Sequence, residues 1–239
     1  MTKRVLLITD SMGTDYGARG YARVAKETYP ATVDVLHYAG IPAFMVAHDL
    51  DERELERYDV ALVQLGVPDV TARFPHFFMR GMRKIGFKFV RESFFFTPPN
   101  FGWRWVLRLP LLGIRLVVTR IYQASYTEAD ELVTLIEHIV GRLRTRADKV
   151  VVLPVFEVSR IYGRAQRRRA RDVNRKLAAA FGDGFILVPA LDPEVYGRYR
   201  NRDFFHLRDA WHEMFAEELR PILLGNGRSQ VDQRERLTS

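Results

Sequence analysis

The chain has 239 residues, 47% of them hydrophobic, with a formal charge of +8; that suffices for one large packed α/β domain or two small ones. Cysteine is absent, which excludes disulfides, thiolate metal sites and a cysteine nucleophile. The positive charge predicts attraction to something anionic, whether nucleic acid, a membrane surface or an acidic substrate, and does not choose among them.

The opening "MTKRVLLITDS" has an apolar run of five residues that ends in Asp10, too short for a secretory signal. "RVLLIT" predicts a strand over 4–9, and "TDSMG" (9–13) follows it at once. A helix is expected over 17–28. Strand-like runs recur at 32–39 ("TVDVLHYA"), 59–66 ("DVALVQLG"), 148–156 ("DKVVVLPVF") and 184–190 ("GFILVPA"). Each is short, rich in Val, Ile and Leu, and almost continuously apolar, as strands are when buried on both faces of a parallel sheet. A second helix is expected over 127–144, with Thr127 as its cap and Leu132, Leu135, Ile136, Ile139, Val140 and Leu143 on one stripe. A third is expected over 166–181, stopped by "GDG", and a fourth over "LRDAWHEMFAEELRPIL". This alternation predicts a three-layer α/β/α sandwich around a central, mainly parallel sheet, with the core domain spanning 1–224 and a polar tail over 225–239.

Residues 71–126 interrupt the alternation. Eleven aromatic residues, from Phe74 to Trp105, are mixed there with basic ones such as Arg73, Arg80, Lys84, Arg91 and Arg108. An insertion of this length is more than a connector. It fits a local helical subdomain, a lid, a dimerisation arm or an element that touches an anionic membrane surface. Its most lipid-like stretch, Trp105 to Thr119, is broken by Arg108, Pro110 and Arg115 and is too short to span a bilayer. The expectation is a cytoplasmic protein, with peripheral membrane contact or a second copy as alternatives for the insertion. A second basic concentration (Arg164, Arg167, Arg168, Arg169, Arg171, Arg175, Lys176) reads first as a solvated helix face, and then as a face for phosphate or carboxylate.

In an open parallel sheet, reacting groups collect beyond the carboxyl ends of the strands. Ser11 stands at such a place, although Asp and Ser there also serve as ordinary turn and cap residues. Asp203 and His206, three apart before the last helix, could pair so that the carboxylate holds Nδ1–H and Nε2 is left to accept a proton from a serine. A structural ion pair is the other reading.

Four blocks in order, "TDSMG", Gly40 in "HYAGIP", "LGVPD" and "DFFHLRDAWH", resemble the SGNH (GDSL-type) hydrolase superfamily over about 4–70 and 127–224. "DVNRKLAAAFGDGFILVPA" is similar to the family's stretch before its last block, where a helix beginning near an Asn leads to a short strand. The resemblance implies an SGNH, flavodoxin-like fold and a serine esterase or O-deacylase. Ser11 would be the nucleophile, His206 the general base and acid, and Asp203 the group that orients His206. The backbone N–H groups of Ser11 and Gly40 would form the oxyanion hole. Asp10 would shape the turn. The third block usually reads Gly-x-Asn-Asp; here Gly66, Val67, Pro68 and Asp69 place proline where the Asn donor belongs. "GVPDVTARFP" is similar to a Gly-x-x-Asp subset, part of it associated with bacterial glycan biosynthesis, and Arg73 or Gln64 could then supply the missing donor. Asp10, Gln64, Gly66, Asp69 and Arg73 are the candidate substrate-side residues. Thr9 stands where the usual motif has its first glycine.

No phosphate loop and no His-Glu-x-x-His occurs, and His37, His48, His76, His138 and His212 are too scattered to propose a metal. No cofactor is expected. His212 is expected to pack structurally. The implied substrate is an acylated small molecule, carbohydrate, lipid or lipid-linked glycan, and nucleic acid is the less favoured partner. The alternatives are an acyltransferase with the same triad, or a decayed SGNH fold that binds an anionic polymer or membrane.

Overall fold

The computed structural model describes residues 2–13, 15, 18–71, 127–157, 164–199 and 207–225, with 80, 84, 88–89, 96–97, 117 and 125 between them. The elements are β1 (Arg4–Thr9), α1 (Tyr21–Thr28), β2 (Thr32–His37), α2 (Ala43–Glu52), β3 (Tyr58–Gln64), α3 (Val67–Val70), β4 (Lys88–Phe89), β5 (Phe96–Thr97), α4 (Ala129–Arg144), β6 (Ala147–Val152), α5 (Arg164–Phe181), α6 (Pro193–Arg198) and α7 (Asp209–Leu224). Two three-residue 3-10 turns, Gly182–Gly184 and Pro189–Leu191, lie between α5 and α6.

The main sheet is parallel in the order β2-β1-β3-β6. Val5 to Ile8 of β1 are at most 1% exposed, as expected of a run with no polar face in the middle of a covered sheet. The chain moves outward from β1 to β2 through α1, then back to β3 and on to β6 through α2 and α4. Right-handed crossovers therefore put α1 on one face and α2, α4 and α5 on the other. The packing agrees: α1 lies against α7, α2 against α4 and α4 against α5. The result is the expected three-layer sandwich. Reversal of direction between β1 and β3 opens a crevice beyond their carboxyl ends.

An aromatic cluster joins α1, α7 and the segment after β6. Trp211 and Phe215 stack at 4.6 Å, Tyr21 meets Phe215 edge-on at 4.8 Å, and Phe156 meets Trp211 at 5.8 Å.

The strand expected over 184–190 is reduced to a single bridge between Phe185 and Val152, with Ile186 N–H bonded to Val152 O at 2.9 Å. Leu187 is 48% exposed while Ile186 and Val188 are buried, and Pro189 opens a 3-10 turn that ends the pairing. The first helix starts at Tyr21 rather than 17, because the preceding N–H groups go elsewhere: Arg19 to Asp209 Oδ1 (2.5 Å) and Gly20 to Asp15 Oδ1 (2.7 Å). Thr127 is not the cap of α4, which is Glu128; its hydroxyl donates to Asp69 instead. Helix α2 was not expected, although Ala43, Val46, Ala47 and Leu50 follow helical spacing and are all buried.

In α5 part of the basic concentration is engaged by acids. Arg171 grips Glu157 with both ends of its fork (2.7 and 3.0 Å), Arg175 reaches Asp172 (3.3 Å) and Lys176 reaches Asp130 (2.6 Å). Among the described residues no helix is long and apolar enough to cross a membrane.

Candidate active site

The turn after β1 is built around Asp10, which is fully buried. Its Oδ1 accepts the Met12 N–H (2.9 Å), its Oδ2 accepts the Val67 N–H (3.2 Å), its own N–H donates to Gln64 O (3.0 Å), and its carbonyl accepts the Gly13 N–H (3.2 Å). One carboxylate thus locks the loop after β1 to the start of α3 after β3. Ser11 sits inside this lock, 9% exposed, at the crevice between the two strands.

Beneath the turn, side chains on one face of β1 and β3 form a buried polar cluster. The Thr9 hydroxyl donates to Gln64 Oε1 (2.9 Å) and the Tyr21 hydroxyl donates to Thr9 Oγ1 (3.2 Å). Burial pushes the Tyr21 hydroxyl far above its ordinary range, so it remains a donor. Gln64 Nε2 is buried and has no hydrogen-bond partner among the described residues. Gly13 closes over this cluster: a Cβ there would lie 1.9 Å from Thr9 Oγ1. The turn therefore needs glycine at 13 for room, and the threonine at 9 is what fills the room.

Gly40 follows β2, with φ +69° and open space around it. It lies in a turn closed by the Ile41 N–H to Tyr38 O (3.1 Å). Parallel register pairs Thr9 with His37, so Ser11 and Gly40 stand past the same ends of neighbouring strands.

Gly66 caps α3 with φ +105°, and a Cβ there would lie 2.9 Å from Val155 Cγ2. Glycine is required twice over, by backbone and by contact. Pro68 lies in the first turn of α3, where a missing N–H breaks no helical bond. Proline is thus accommodated at the start of this helix, and position 68 offers neither an N–H nor a side-chain donor.

Asp69 is fully buried and holds three elements together: the Ala43 N–H at the start of α2 (3.1 Å) and the Thr127 hydroxyl ahead of α4 (2.7 Å) both donate to it. Burial pushes its carboxyl up to about 7, with nearby Asp10 adding to the rise and the two hydrogen bonds opposing it. An ordinary Asp titrates near about 3.9. Between those values the folded protein holds a proton that the unfolded chain has lost, so this group's contribution favours folding least above pH 7 and progressively more as pH falls towards 4. Wild-type stability relative to Asp69→Asn is therefore expected to decline as pH rises from 4 to 7 in urea titrations. A difference that does not change with pH counts against the shift.

His206, Asp203 and Arg73 lie outside the described residues. The last helix, α7, is anchored to the start of α1. Asp209 in the first turn of α7 accepts the Arg19 N–H, and His212 Nδ1 accepts the Tyr21 N–H (3.2 Å). Tyr21 begins α1, ten positions after Ser11. His212 is 3% exposed and stacks on Tyr21, in the structural role expected of it.

Sequence reasoning missed the work of Asn174. Its Oδ1 accepts the Val155 N–H (2.7 Å) and its Nδ2 donates to Val155 O (2.9 Å), fixing the segment after β6 against α5. Asn174 stands mid-helix, not near the helix start. An amide on the stripe Ala170, Val173, Leu177 was the available signal.

No protein-family model matches the chain, and no curated protein matches it by sequence. Solved structures do match. A member of the lipolytic protein G-D-S-L family from Veillonella parvula superposes with TM-score 0.58 at 8% identity, covering 92% of this chain and 98% of its own. LAE5, an alpha/beta hydrolase enzyme from the metagenome of Lake Arreo, gives 0.58 at 14%, covering 95% and 97%. An acetylxylan esterase from Geobacillus stearothermophilus gives 0.55 at 16%, covering 92% and 94%. This chain shares their fold. Structures described as catalytic mutants of the last esterase replace a serine near its start, and an aspartate and a histidine three positions apart.

Proposed function

We propose that the protein is a serine-dependent ester hydrolase that removes an O-acyl group from a small molecule, a carbohydrate or a lipid-linked glycan. The observation that carries the reading is the Ser11 turn. A hydroxyl residue is held at the crevice of the sheet by a buried carboxylate that bonds both flanking loops, a degree of constraint that a plain connection does not need. The fold shared with G-D-S-L and acetylxylan esterases adds to it. So does the spacing of Asp203 and His206, which equals that of the aspartate and histidine altered in the catalytic mutants.

In this reading Ser11 Oγ attacks the ester carbonyl carbon while His206 Nε2 takes its proton, with Asp203 holding Nδ1–H. The N–H groups of Ser11 and Gly40 donate to the oxyanion. Collapse breaks the bond to the alcohol oxygen, which receives the proton from His206. Water then attacks the acyl-enzyme, gives a proton to His206, and the carboxylic acid leaves as Ser11 regains its hydrogen. Pro68 removes a donor worth about 2.7–4 kcal/mol in other acyl-transfer sites. Gln64, whose Nε2 is unengaged, and Arg73 are the residues proposed to compensate. Asp10, Gly66 and Asp69 support the walls of the site.

The direct test is intact mass after exposure to a small fluorophosphonate. One adduct is expected in the wild type and none in Ser11→Ala or His206→Ala. A folded wild type that stays unlabelled overturns the reading.

A further inference from the structure

Helix α5 carries its charge in a pattern that packing does not require. At about 100° per residue, Arg164, Arg168, Arg171 and Arg175 fall within an arc of about 60° and make one straight ridge about 17 Å long. All four are exposed. The residues that seat the helix, Gln166, Ala170, Val173 and Leu177, are buried and lie on the opposite side.

A solvated helix face ordinarily mixes signs, with acids one turn from bases. This ridge contains no acid. Asp172, the one acid of α5, stands to its side, where it meets Arg175 (3.3 Å) and Lys176 (3.5 Å). Glu157 engages Arg171. At the amino-terminal end, Arg164, Arg168 and the adjoining Arg167 have no acidic partner among the described residues. Like charges one turn apart weaken a helix, and the positive end of the helix dipole adds to the same field. An anionic partner laid along the ridge would relieve both.

The form of the surface narrows the partner. A ridge facing outward from the outer layer has no walls to enclose a small anion. No aromatic side chain lies on it to stack against a base. A row of guanidinium groups pointing away from the domain is matched by a plane of anionic headgroups.

We propose that α5 docks the protein on an anionic lipid bilayer, with Arg164, Arg167 and Arg168 as the main contacts. The ridge offers no large apolar residue for insertion, so the contact is electrostatic, reversible and weakened by salt. It needs no catalysis, and it stands or falls apart from the esterase reading.

The test is sedimentation with phosphatidylcholine vesicles, with and without phosphatidylserine. The wild type is expected to bind the phosphatidylserine vesicles at least about tenfold more tightly in about 0.1 M salt, and to lose that preference in about 1 M salt. Each arginine at an anionic surface contributes about fivefold in affinity, so Arg164→Gln/Arg168→Gln is expected to weaken binding about 25-fold, while Arg164→Lys/Arg168→Lys keeps it within about twofold. Arg57→Gln/Arg144→Gln removes the same charge from exposed positions at the amino edge of the sheet and is expected to change binding less than about threefold. A wild type that ignores phosphatidylserine, or a ridge variant that binds as the wild type does, overturns the proposal. Equal losses in the two glutamine variants also overturn it, because net charge alone would then explain the binding. If a DNA duplex binds more tightly than the vesicles at equal phosphate concentration, and the ridge variant loses that binding, the partner is nucleic acid and the membrane contact falls.

Discussion

Ser11→Ala is expected to lower kcat/KM on an activated ester by at least about a thousandfold, and His206→Ala by a similar factor. The double variant Ser11→Ala/His206→Ala is expected to lose little more than either single one, because a nucleophile and its base act as a unit and the second deletion removes nothing that still works. Full additivity of the two losses would mean that the residues contribute separately, and the triad would fall. The same pair sets the pH profile. The proposed mechanism requires neutral His206, so the wild-type rate is expected to fall as pH drops through the ordinary histidine range near about 6.5. A rate that is flat from pH 5 to 8 contradicts histidine as the base.

The second large effect is on stability. In Gly13→Ala the new Cβ would meet Thr9 Oγ1 at 1.9 Å and Thr9 Cβ at 2.8 Å. Thr9 is fully buried on β1 and cannot turn away without breaking its bond to Gln64. Overpacking together with a disrupted buried hydrogen bond is expected to cost about 2–4 kcal/mol, a fall in Tm of about 5–15 °C for a chain of this size. The diagnostic partner is Thr9→Gly, which costs stability by itself through lost packing and hydrogen bonds. In Thr9→Gly/Gly13→Ala the two costs should not add, since the clash needs both side chains. A coupling of at least about 1.5 kcal/mol in this cycle is expected from urea denaturation. Additive costs would show that the close approach at Thr9 is not what glycine 13 serves.

That pair also shows where the sequence was readable and where it was not. The four strands of the main sheet were legible because continuous apolar runs such as "RVLLIT" permit few other structures. The fifth expected strand is only a single bridge: "GFILVPA" has the same composition, but whether Leu187 faces solvent depends on what lies across the sheet edge, which composition does not carry. Helix α2 had the right spacing in Ala43, Val46, Ala47 and Leu50, yet Phe44 and Met45 at its start blurred the polar face; both are exposed. Thr127 looked like a cap because hydroxyls before a helix usually are. Its actual partner, Asp69, is 58 positions away in sequence. At the site, the place of Ser11 followed from the strand before it. The reason for Gly13 lay in a side-chain contact that no motif states, and the buried cluster of Thr9, Gln64 and Tyr21 was legible only once β1, β3 and α1 had been brought together.

The bond from Thr127 to Asp69 has a consequence for how this protein could change over evolutionary time. It joins the chain just before the basic, aromatic stretch departs to the chain just after it returns, so the two ends of that stretch are tied to each other at the base, beside the start of α2. The entropic penalty for closing a flexible loop rises only with the logarithm of its length, about 0.6 kcal/mol for each doubling. With its ends held in this way, the stretch can lengthen, shorten or be exchanged for another with little penalty to the sheet below. Ser11, Gly40 and Gly66, carried by the ends of the strands, would keep their places while that stretch is exchanged, so a lineage could vary it without having to rebuild the sheet.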